Sequence, residues 1–192
     1  MRIIGGRWRG RPLTAPKGRD TRPTTDRVRE AIFSSIYSLL GDLDGRVVLD
    51  LYAGSGALGL EALSRGAGRC IFVESDGKAA SVIATNLRAL GIGKAEATVM
   101  QAKVSRGLAD RLGSLGASLL LADPPYRIDP LEFSQVLEAL AAAGVLAPGA
   151  LGMYEHSSQT EALWPTGFSA SSDRRYGDTG VSFATYEGDH RT

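Results

Sequence analysis

The segment that decides the fold class is Asp50-Leu51-Tyr52-Ala53-Gly54-Ser55-Gly56-Ala57-Leu58-Gly59. It follows a short apolar run at residues 46–52, a predicted buried strand, and it opens a predicted helix over residues 57–65. Glycines at 54 and 56 permit a tight turn and close approach of the backbone to a ligand, and Gly59 permits close packing of helix on strand. The segment therefore predicts a nucleotide-binding α/β sheet.

Strand-like and helix-like segments alternate on both sides of this loop. Apolar runs predict strands over residues 46–52, 69–74, 95–100, 118–122 and 150–155. Helical periodicity or helix-forming composition predicts helices over residues 26–40, 57–65, 77–90, 103–112 and 130–143. Residues 168–176 and 181–187 predict a final antiparallel pair. This alternation is typical of a mostly parallel sheet that is covered on both faces.

Bulk composition excludes several classes of protein. The chain has 192 residues, 43% of them hydrophobic and 22% charged, which is typical of one globular domain with a small appendage. Its single cysteine, Cys70, excludes an intrachain disulfide and a cysteine-clustered metal site, and we expect no metal. No apolar run is long enough for a membrane span, and no secretory signal follows Met1. We therefore expect a cytoplasmic protein with no membrane partner.

Positive charge is concentrated at the N-terminus. Residues 1–29 hold nine basic and two acidic side chains, whereas the remaining residues hold 13 basic and 19 acidic ones. This asymmetry indicates contact with a nucleic acid or a membrane surface, although a solvated arm without a partner would have the same composition. The glycines and prolines of this segment argue against the amphipathic helix of an organelle transit peptide.

Two acidic residues suggest what the glycine loop binds. Glu74 ends the second predicted strand, where a carboxylate can accept hydrogen bonds from both hydroxyls of a ribose. The loop and this acid also describe a dinucleotide-binding fold. Asp50 favours S-adenosylmethionine, because a carboxylate just before the turn would repel a pyrophosphate but not a ligand that carries a sulfonium cation. A loop-ordering or helix-capping role for Asp50 remains open.

A second motif, Ala122-Asp123-Pro124-Pro125-Tyr126, ends the fourth predicted strand. Prolines fix φ and remove backbone donors, so the turn is stiff and its carbonyls are free to accept. The Asp123 carboxylate and the Pro124 carbonyl can each accept one N–H of an exocyclic amino group on a base, and Tyr126 can stack on that base. We therefore predict methylation of an amino group, with Asp123, Pro124 and Tyr126 acting by positioning and electrostatics. A rigid loop without a catalytic role is the alternative.

Three blocks of sequence closely resemble the RsmD family of bacterial 16S ribosomal RNA guanine-N2 methyltransferases. They are Met1-Arg2-Ile3-Ile4-Gly5-Gly6-Arg7-Trp8-Arg9-Gly10-Arg11, the stretch Arg22-Pro23-Thr24-Thr25-Asp26-Arg27-Val28-Arg29-Glu30, and residues 49–67 around the glycine loop. The resemblance implies a seven-stranded class I, Rossmann-like methyltransferase fold with S-adenosyl-L-methionine as cofactor. It further implies an N-terminal arm or small β-hairpin over residues 1–24 for RNA binding, and a methyltransferase domain over residues 25–192.

The resemblance also assigns roles to residues whose pattern alone is less specific. It implies that Thr24, Thr25 and Asp26 help to close the cofactor pocket, although they otherwise predict only a helix cap. Many such enzymes bind the adenine amino group through an acid after the third strand; here Gln101 can accept and the Ala102 amide can donate. The candidate cofactor-binding residues are Thr24, Thr25, Asp50, Tyr52, Ala53, Gly54, Ser55, Gly56, Glu74, Ser75, Gln101, Ala102 and Asp123.

The expected partner is 16S ribosomal RNA, in a partly or fully assembled small subunit, and the expected state is a monomer. The candidate RNA-binding residues are Arg2, Arg7, Trp8, Arg9, Arg11 and Arg22. Adenine or cytosine in DNA and glutamine side chains are alternative substrates for an Asp-Pro-Pro-Tyr enzyme. A non-catalytic RNA-binding protein and a nicotinamide oxidoreductase are alternatives from other classes, and the second leaves the Asp123 turn unexplained.

Overall fold

Strands and helices alternate along the chain in the computed structural model, which describes residues 1–16, 25–125 and 128–188. The helices are α1 (Asp26–Leu40), α2 (Ala57–Ser64), α3 (Gly77–Leu90), α4 (Leu108–Leu112) and α5 (Pro130–Ala142). The strands are β1 (Val47–Leu51), β2 (Arg69–Glu74), β3 (Ala97–Gln101), β4 (Ala117–Ala122), β5 (Leu146–Ser157), β6 (Phe168–Tyr176) and β7 (Thr179–Tyr186). No helix of these described ranges is long and apolar enough to cross a membrane.

The seven strands form one sheet in the order β3-β2-β1-β4-β5-β7-β6. Strands β1 to β5 pair in parallel, and β7 pairs antiparallel with both β5 and β6. This arrangement confirms the predicted seven-stranded, mostly parallel fold with an antiparallel C-terminal pair. The chain builds outward from β1 to β3 and then returns to place β4 beside β1. The carboxyl ends of β1 and β4 therefore flank the point where open α/β sheets bind ligands.

The sheet is buried on both faces, and its central strands are mostly apolar. Helices α1, α2 and α3 contribute to one core cluster, exemplified by Phe33, Leu60 and Ile83. Helices α4 and α5 cover the other face through residues such as Leu108 and Phe133. Cys70 is fully buried in the first cluster, as the sequence predicts for a small apolar residue.

Two predicted elements begin four or more residues away from their predicted starts. Helix α4 begins at Leu108 rather than at residue 103, because residues 105–109 form turns and Gly107 occupies the N-cap position. Strand β5 begins at Leu146 rather than at residue 150. Its register against β4 shifts between the pairs Ala117↔Leu146 and Leu119↔Leu151, and this irregularity accommodates Pro148 within the strand.

Residues 1–16, hereafter the N-terminal hairpin, pack on the sheet domain. An isolated antiparallel bridge joins Arg2 and Pro12, and Ile3 and Leu13 enter the first core cluster. Ile3 is fully buried. The hairpin is therefore packed into the same core as the sheet, whereas the expected boundary at residue 24 falls within residues 17–24, outside the described residues.

Candidate active site

The glycine loop turns the chain from β1 into α2 through three residues with positive φ. Tyr52 has φ 57°, Gly54 has φ 57° and Gly56 has φ 79°, and Tyr52 alone among the described residues other than glycine adopts such a value. The Gly56 amide donates to the Ala53 carbonyl at 2.7 Å, which closes the turn. The loop backbone thereby lies at the carboxyl edge of the sheet, where the sequence predicted a ligand.

Glu74 ties the end of β2 to this loop. It is buried, and its Oε2 accepts from the Gly54 amide at 2.8 Å. Its Oε1 accepts from the Asp76 amide at 2.8 Å and from the Ser75 hydroxyl at 3.4 Å. The carboxylate that the sequence assigned to a ribose thus also orders the loop, and a ribose there would have to share these acceptor oxygens.

Asp50 lies inside the sheet rather than on the surface of the pocket. Its exposed fraction is 1%, and its Oδ2 accepts from the Gly59 amide at 2.9 Å. A Cβ at Gly59 would come within 2.4 Å of Phe72 Cε1 and 2.8 Å of Asp50 Oδ2, so only glycine fits between α2 and the sheet. The loop-ordering role of Asp50 is therefore present in the structure, whereas its contact with a ligand stays a prediction.

Asp50, Glu74 and Asp123 bring three carboxyl groups to this edge. Burial raises the pKa of Asp50 to about 8, and repulsion from Asp123 and Glu74 contributes to the shift. Burial also raises the pKa of Asp123, to about 6. A ligand that carries positive charge would relieve the repulsion, whereas a pyrophosphate would add to it. The three carboxyl groups thus fit a cationic ligand.

The Asp123 turn starts beside the glycine loop because β1 and β4 are neighbours. Their register pairs Leu51 with Ala122, so the residues that follow each strand emerge side by side. Asp123 is half-buried, Pro124 is buried, and the Pro125 carbonyl accepts from the Ile128 amide at 2.9 Å. The predicted partner Tyr126 lies outside the described residues.

The predicted adenine contacts after β3 need a correction. The Ala102 amide donates to the Glu74 carbonyl at 3.0 Å, because the parallel pairing of β2 and β3 continues past Gln101. This amide is therefore engaged and is not free to donate to a base. The Gln101 side chain is exposed beside the start of α3, where a Cβ at Gly77 would lie 3.0 Å from its Nε2. The adenine contact of the Gln101 side chain stays a prediction.

Thr25 acts as a helix cap, as its position predicts. It is the N-cap of α1, and its side chain accepts from the Val28 amide at 3.3 Å. Thr24 and Arg22 lie outside the described residues, so the closure of the pocket by this segment stays a prediction. Ser55 is buried, and its hydroxyl lies 3.6 Å from Met1 Sδ, which brings the N-terminal hairpin to the glycine loop.

Most arginines of the N-terminal hairpin already have protein partners. Arg7 pairs with Glu96 and lies 3.8 Å above the ring of Trp8, which is itself partly buried against the core. Arg2 pairs with Asp26 at 2.9 Å, and Arg11 donates to the Ala89 carbonyl at 3.0 Å. Arg9 is exposed, and among the described residues no side-chain partner is found for it. RNA contacts by these residues remain a prediction, and the covered ring face limits base stacking on Trp8.

A buried charge network that the sequence did not predict anchors the hairpin. Glu61 on α2 is fully buried and accepts from the amides of Ile4 and Gly5, each at 2.8 Å, and from Arg65 at 2.8 Å. The Arg29 guanidinium lies beside it with Nε 3.9 Å from Glu61 Oε2. Glu61 and Arg29 fall on apolar helix faces, and only this mismatch with helical periodicity could have indicated a buried pair.

Two further polar residues near the site were missed. Asn86 on α3 donates to the carbonyls of Ser55 and Thr14, each at 3.0 Å, and so links the glycine loop to the N-terminal hairpin. His156 had no recognisable partner in the sequence, yet its Nε2 lies 2.8 Å from the Ser182 hydroxyl. Both contacts join residues that are distant along the chain, so spacing carries no signal for them.

Comparisons with known proteins agree with this architecture. The family described as conserved hypothetical protein 95 matches residues 1–185. The ribosomal RNA small subunit methyltransferase D of Escherichia coli K12 is 39% identical over 166 residues, covering 86% of this chain and 78% of that protein. The protein of the same name from Haemophilus influenzae is 30% identical, covering 97% and 93%. A solved structure of a candidate methyltransferase from Escherichia coli, yhhF, superposes with a TM-score of 0.82 at 33% identity, covering 98% of this chain and 99% of that one.

Proposed function

Because this chain belongs to the conserved hypothetical protein 95 family, that is, the RsmD family, we propose that it methylates the N2 amino group of a guanine in 16S ribosomal RNA. The methyl donor in this proposal is S-adenosyl-L-methionine. One observation carries the proposal: the glycine loop after β1 and the Asp123 turn after β4 lie side by side at the carboxyl edge of the sheet. A methyl donor held by the first would face an amino group held by the second.

The chain's own residues suit such a donor. In the proposal Glu74 and Asp50 lie on the ribose and amino-acid sides, Gln101 lies towards the adenine, and the loop backbone at Gly54 and Gly56 comes closest to the ligand. The donor supplies an electrophilic methyl group on a sulfonium. The acidic character of the site supports this choice. Burial raises the pKa values of Asp50 and Asp123, repulsion from Asp123 and Glu74 adds to the shift of Asp50, and a cation nearby would be favoured.

The Asp123 turn would position the nucleophile. The exocyclic nitrogen of guanine is a weak nucleophile because its lone pair is delocalised into the ring. The Asp123 carboxylate and the Pro124 carbonyl would each accept a hydrogen bond from one of its two N–H groups. These two hydrogen bonds would hold the lone pair towards the methyl group. Rate enhancement would then come from orientation and fixed electrostatics, with no covalent enzyme intermediate. Guanine N2 lies on the Watson–Crick edge, so the target must be unpaired or flipped out.

The names of the relatives support RNA of the small ribosomal subunit as the substrate. Such a substrate would place the reaction in the cytoplasm. All the groups invoked above come from one chain, which is consistent with action as a monomer.

The proposal is tested by incubating the protein with methyl-labelled S-adenosylmethionine and one of three acceptors. These are a 16S RNA transcript, small subunits that lack base methylation, and duplex DNA. We expect label in the RNA or the subunits and none in the DNA, with loss of transfer in Asp123→Ala. Label in DNA alone, or no transfer to either RNA acceptor, would contradict the proposal.

A further inference from the structure

A groove of about 470 Å³ runs along the C-terminal strands, outside the site described above. Its floor is β7, one wall is the edge strand β6, and the other wall is the segment from Ser158 to Trp164. Its volume falls in the range of small-ligand sites. None of the residues assigned to the cofactor or to Asp123 chemistry lines it.

Small residues on β7 keep the groove open. Gly180 and Ser182 lie on its floor. The His156 ring lies over Gly180, where a Cβ would come within 2.5 Å of His156 Cε1. His156 Nε2 is held by the Ser182 hydroxyl at 2.8 Å. A larger residue at position 180 would displace this ring, so glycine here shapes the end of the groove nearest to β5.

The groove adjoins the catalytic turn. A small cavity beside Pro124 and Pro125 is also lined by His156 and Thr160, and both of these residues line the groove. The register places Arg175 opposite Gly180, and Gly180 opposite His156, at the carboxyl edge of the sheet. Three strand spacings separate β4 from β6, which is about 14 Å. A chain whose target base lies at Asp123 could therefore place its next nucleotides over Arg175.

The charge of the groove suits a nucleotide. Arg174 and Arg175 line it and are exposed, and within the described part of the chain neither forms an ion pair. Arg174 makes one long contact, 3.5 Å to the Asp173 carbonyl. Asp173 and Glu161 also line the groove, so it is not uniformly basic. Guanidinium groups bind phosphate, whereas carboxylates accept hydrogen bonds from base amino groups.

We propose that this groove binds the RNA nucleotide that flanks the target base, with its phosphate on Arg175. The inference rests on the proposed function, since it assumes an RNA whose target base lies at Asp123. It assigns part of the RNA contact to the C-terminal strand pair, whereas sequence reasoning placed all of it at the N-terminus. Single-stranded RNA suits the groove, because an unpaired flanking base can present its edge to the carboxylates.

The test compares Arg175→Ala with Arg111→Ala, which removes the same charge from an exposed site on α4. Steady-state methylation is measured on whichever RNA acceptor the wild-type protein modifies. We expect Arg175→Ala to raise the KM for RNA about tenfold or more, because a charge-assisted contact is lost. The logarithmic salt dependence of RNA binding should become shallower by about 0.7, as for one lost phosphate contact. Both kcat and the affinity for S-adenosylmethionine should be unchanged, and Arg175→Lys should recover most of the loss.

The outcomes separate this inference from the proposed function. Failure of the wild-type protein to methylate any RNA would defeat the proposed function itself. If the wild-type enzyme is active and Arg175→Ala shows the wild-type KM and salt dependence, as Arg111→Ala is expected to, the proposed role of the groove in RNA binding is wrong. The proposed function itself would then stand. Equal losses in Arg175→Ala and Arg111→Ala would also overturn the role of the groove, because the effect would then be one of net charge.

Discussion

At the scale of single residues, the ionisation of Asp123 links the geometry of the turn to a pH dependence. Burial raises its pKa to about 6. Only the deprotonated carboxylate is negatively charged and has free lone pairs on both oxygens with which to accept hydrogen bonds. We expect kcat/KM, which reports ionisations of the free enzyme, to rise as the pH passes through about 6. In Asp123→Ala, turnover should fall on the order of 10²–10³-fold and this inflection should disappear.

The matched control for Asp123 is Asp129→Ala, which changes an exposed acid at the N-cap of α5. Calorimetric affinity for S-adenosylmethionine should stay close to the wild-type value in both variants. A pH profile of Asp123→Ala that retains the wild-type inflection would assign that ionisation to another group.

Asp50 gives a prediction about stability. Its pKa is raised from an ordinary 3.8 to about 8, so between these values the folded protein keeps a proton that the unfolded chain releases. Its contribution to stability therefore falls as the pH rises across that interval. We expect cofactor-free Asp50→Asn to gain stability relative to wild type between pH 5 and pH 8, by up to a few kcal/mol. Thermal unfolding at the two pH values measures the difference.

Exposed Asp110 on α4 supplies the comparison for this experiment, since Asp110→Asn should show no such pH-dependent gain. The Asp50→Asn gain should be accompanied by weaker binding of S-adenosylmethionine, because an amide cannot release a proton and become negatively charged when the cationic ligand binds. An Asp50→Asn protein that unfolds at a lower temperature than wild type at pH 8 would mean that the hydrogen bond to Gly59 outweighs the cost of burying the charge.

At the scale of elements, local patterns predicted the segments that have a clear apolar run or a clear helical periodicity. The apolar run of β2 and the periodicity of α3 give the bounds Arg69–Glu74 and Gly77–Leu90, as observed. Helix α4 was predicted too long, because Ser105 and Gly107 favour turns that a count of helix-forming residues does not register. The attachment of the N-terminal hairpin could not be predicted, since it depends on long-range contacts with Glu61 and Asn86.

The N-terminal hairpin gives the prediction at this scale. Ile3 is fully buried in the core, whereas Arg9 on the same hairpin is exposed. Ile3→Ala should lower the free energy of unfolding by about 2–5 kcal/mol, and Arg9→Ala should leave it nearly unchanged. Chemical denaturation measures both. If both substitutions change the free energy of unfolding by similar, small amounts, the hairpin is an appended arm, as a boundary at residue 24 implies.

At the scale of the whole molecule, formal charge overstates the basic character of the N-terminus. Of its arginines, Arg29 is buried beside Glu61, and Arg2 and Arg7 are paired with Asp26 and Glu96. The composition therefore indicates a class of partner, whereas the residues that contact this partner stay a prediction. The glycine loop and the Asp123 turn were predicted separately, each at the end of its own strand, and the observed strand order brings the ends of β1 and β4 together.

The central claim is that this edge of the sheet delivers a methyl group to the N2 amino group of guanine. It is tested most directly by digesting RNA methylated with isotope-labelled S-adenosylmethionine to nucleosides and identifying the labelled species by mass spectrometry against standards. We expect a single labelled nucleoside, N2-methylguanosine, which is absent when Asp123→Ala replaces the wild-type protein. Label in N6-methyladenosine, in N4-methylcytidine or in a ring-methylated guanosine would contradict it.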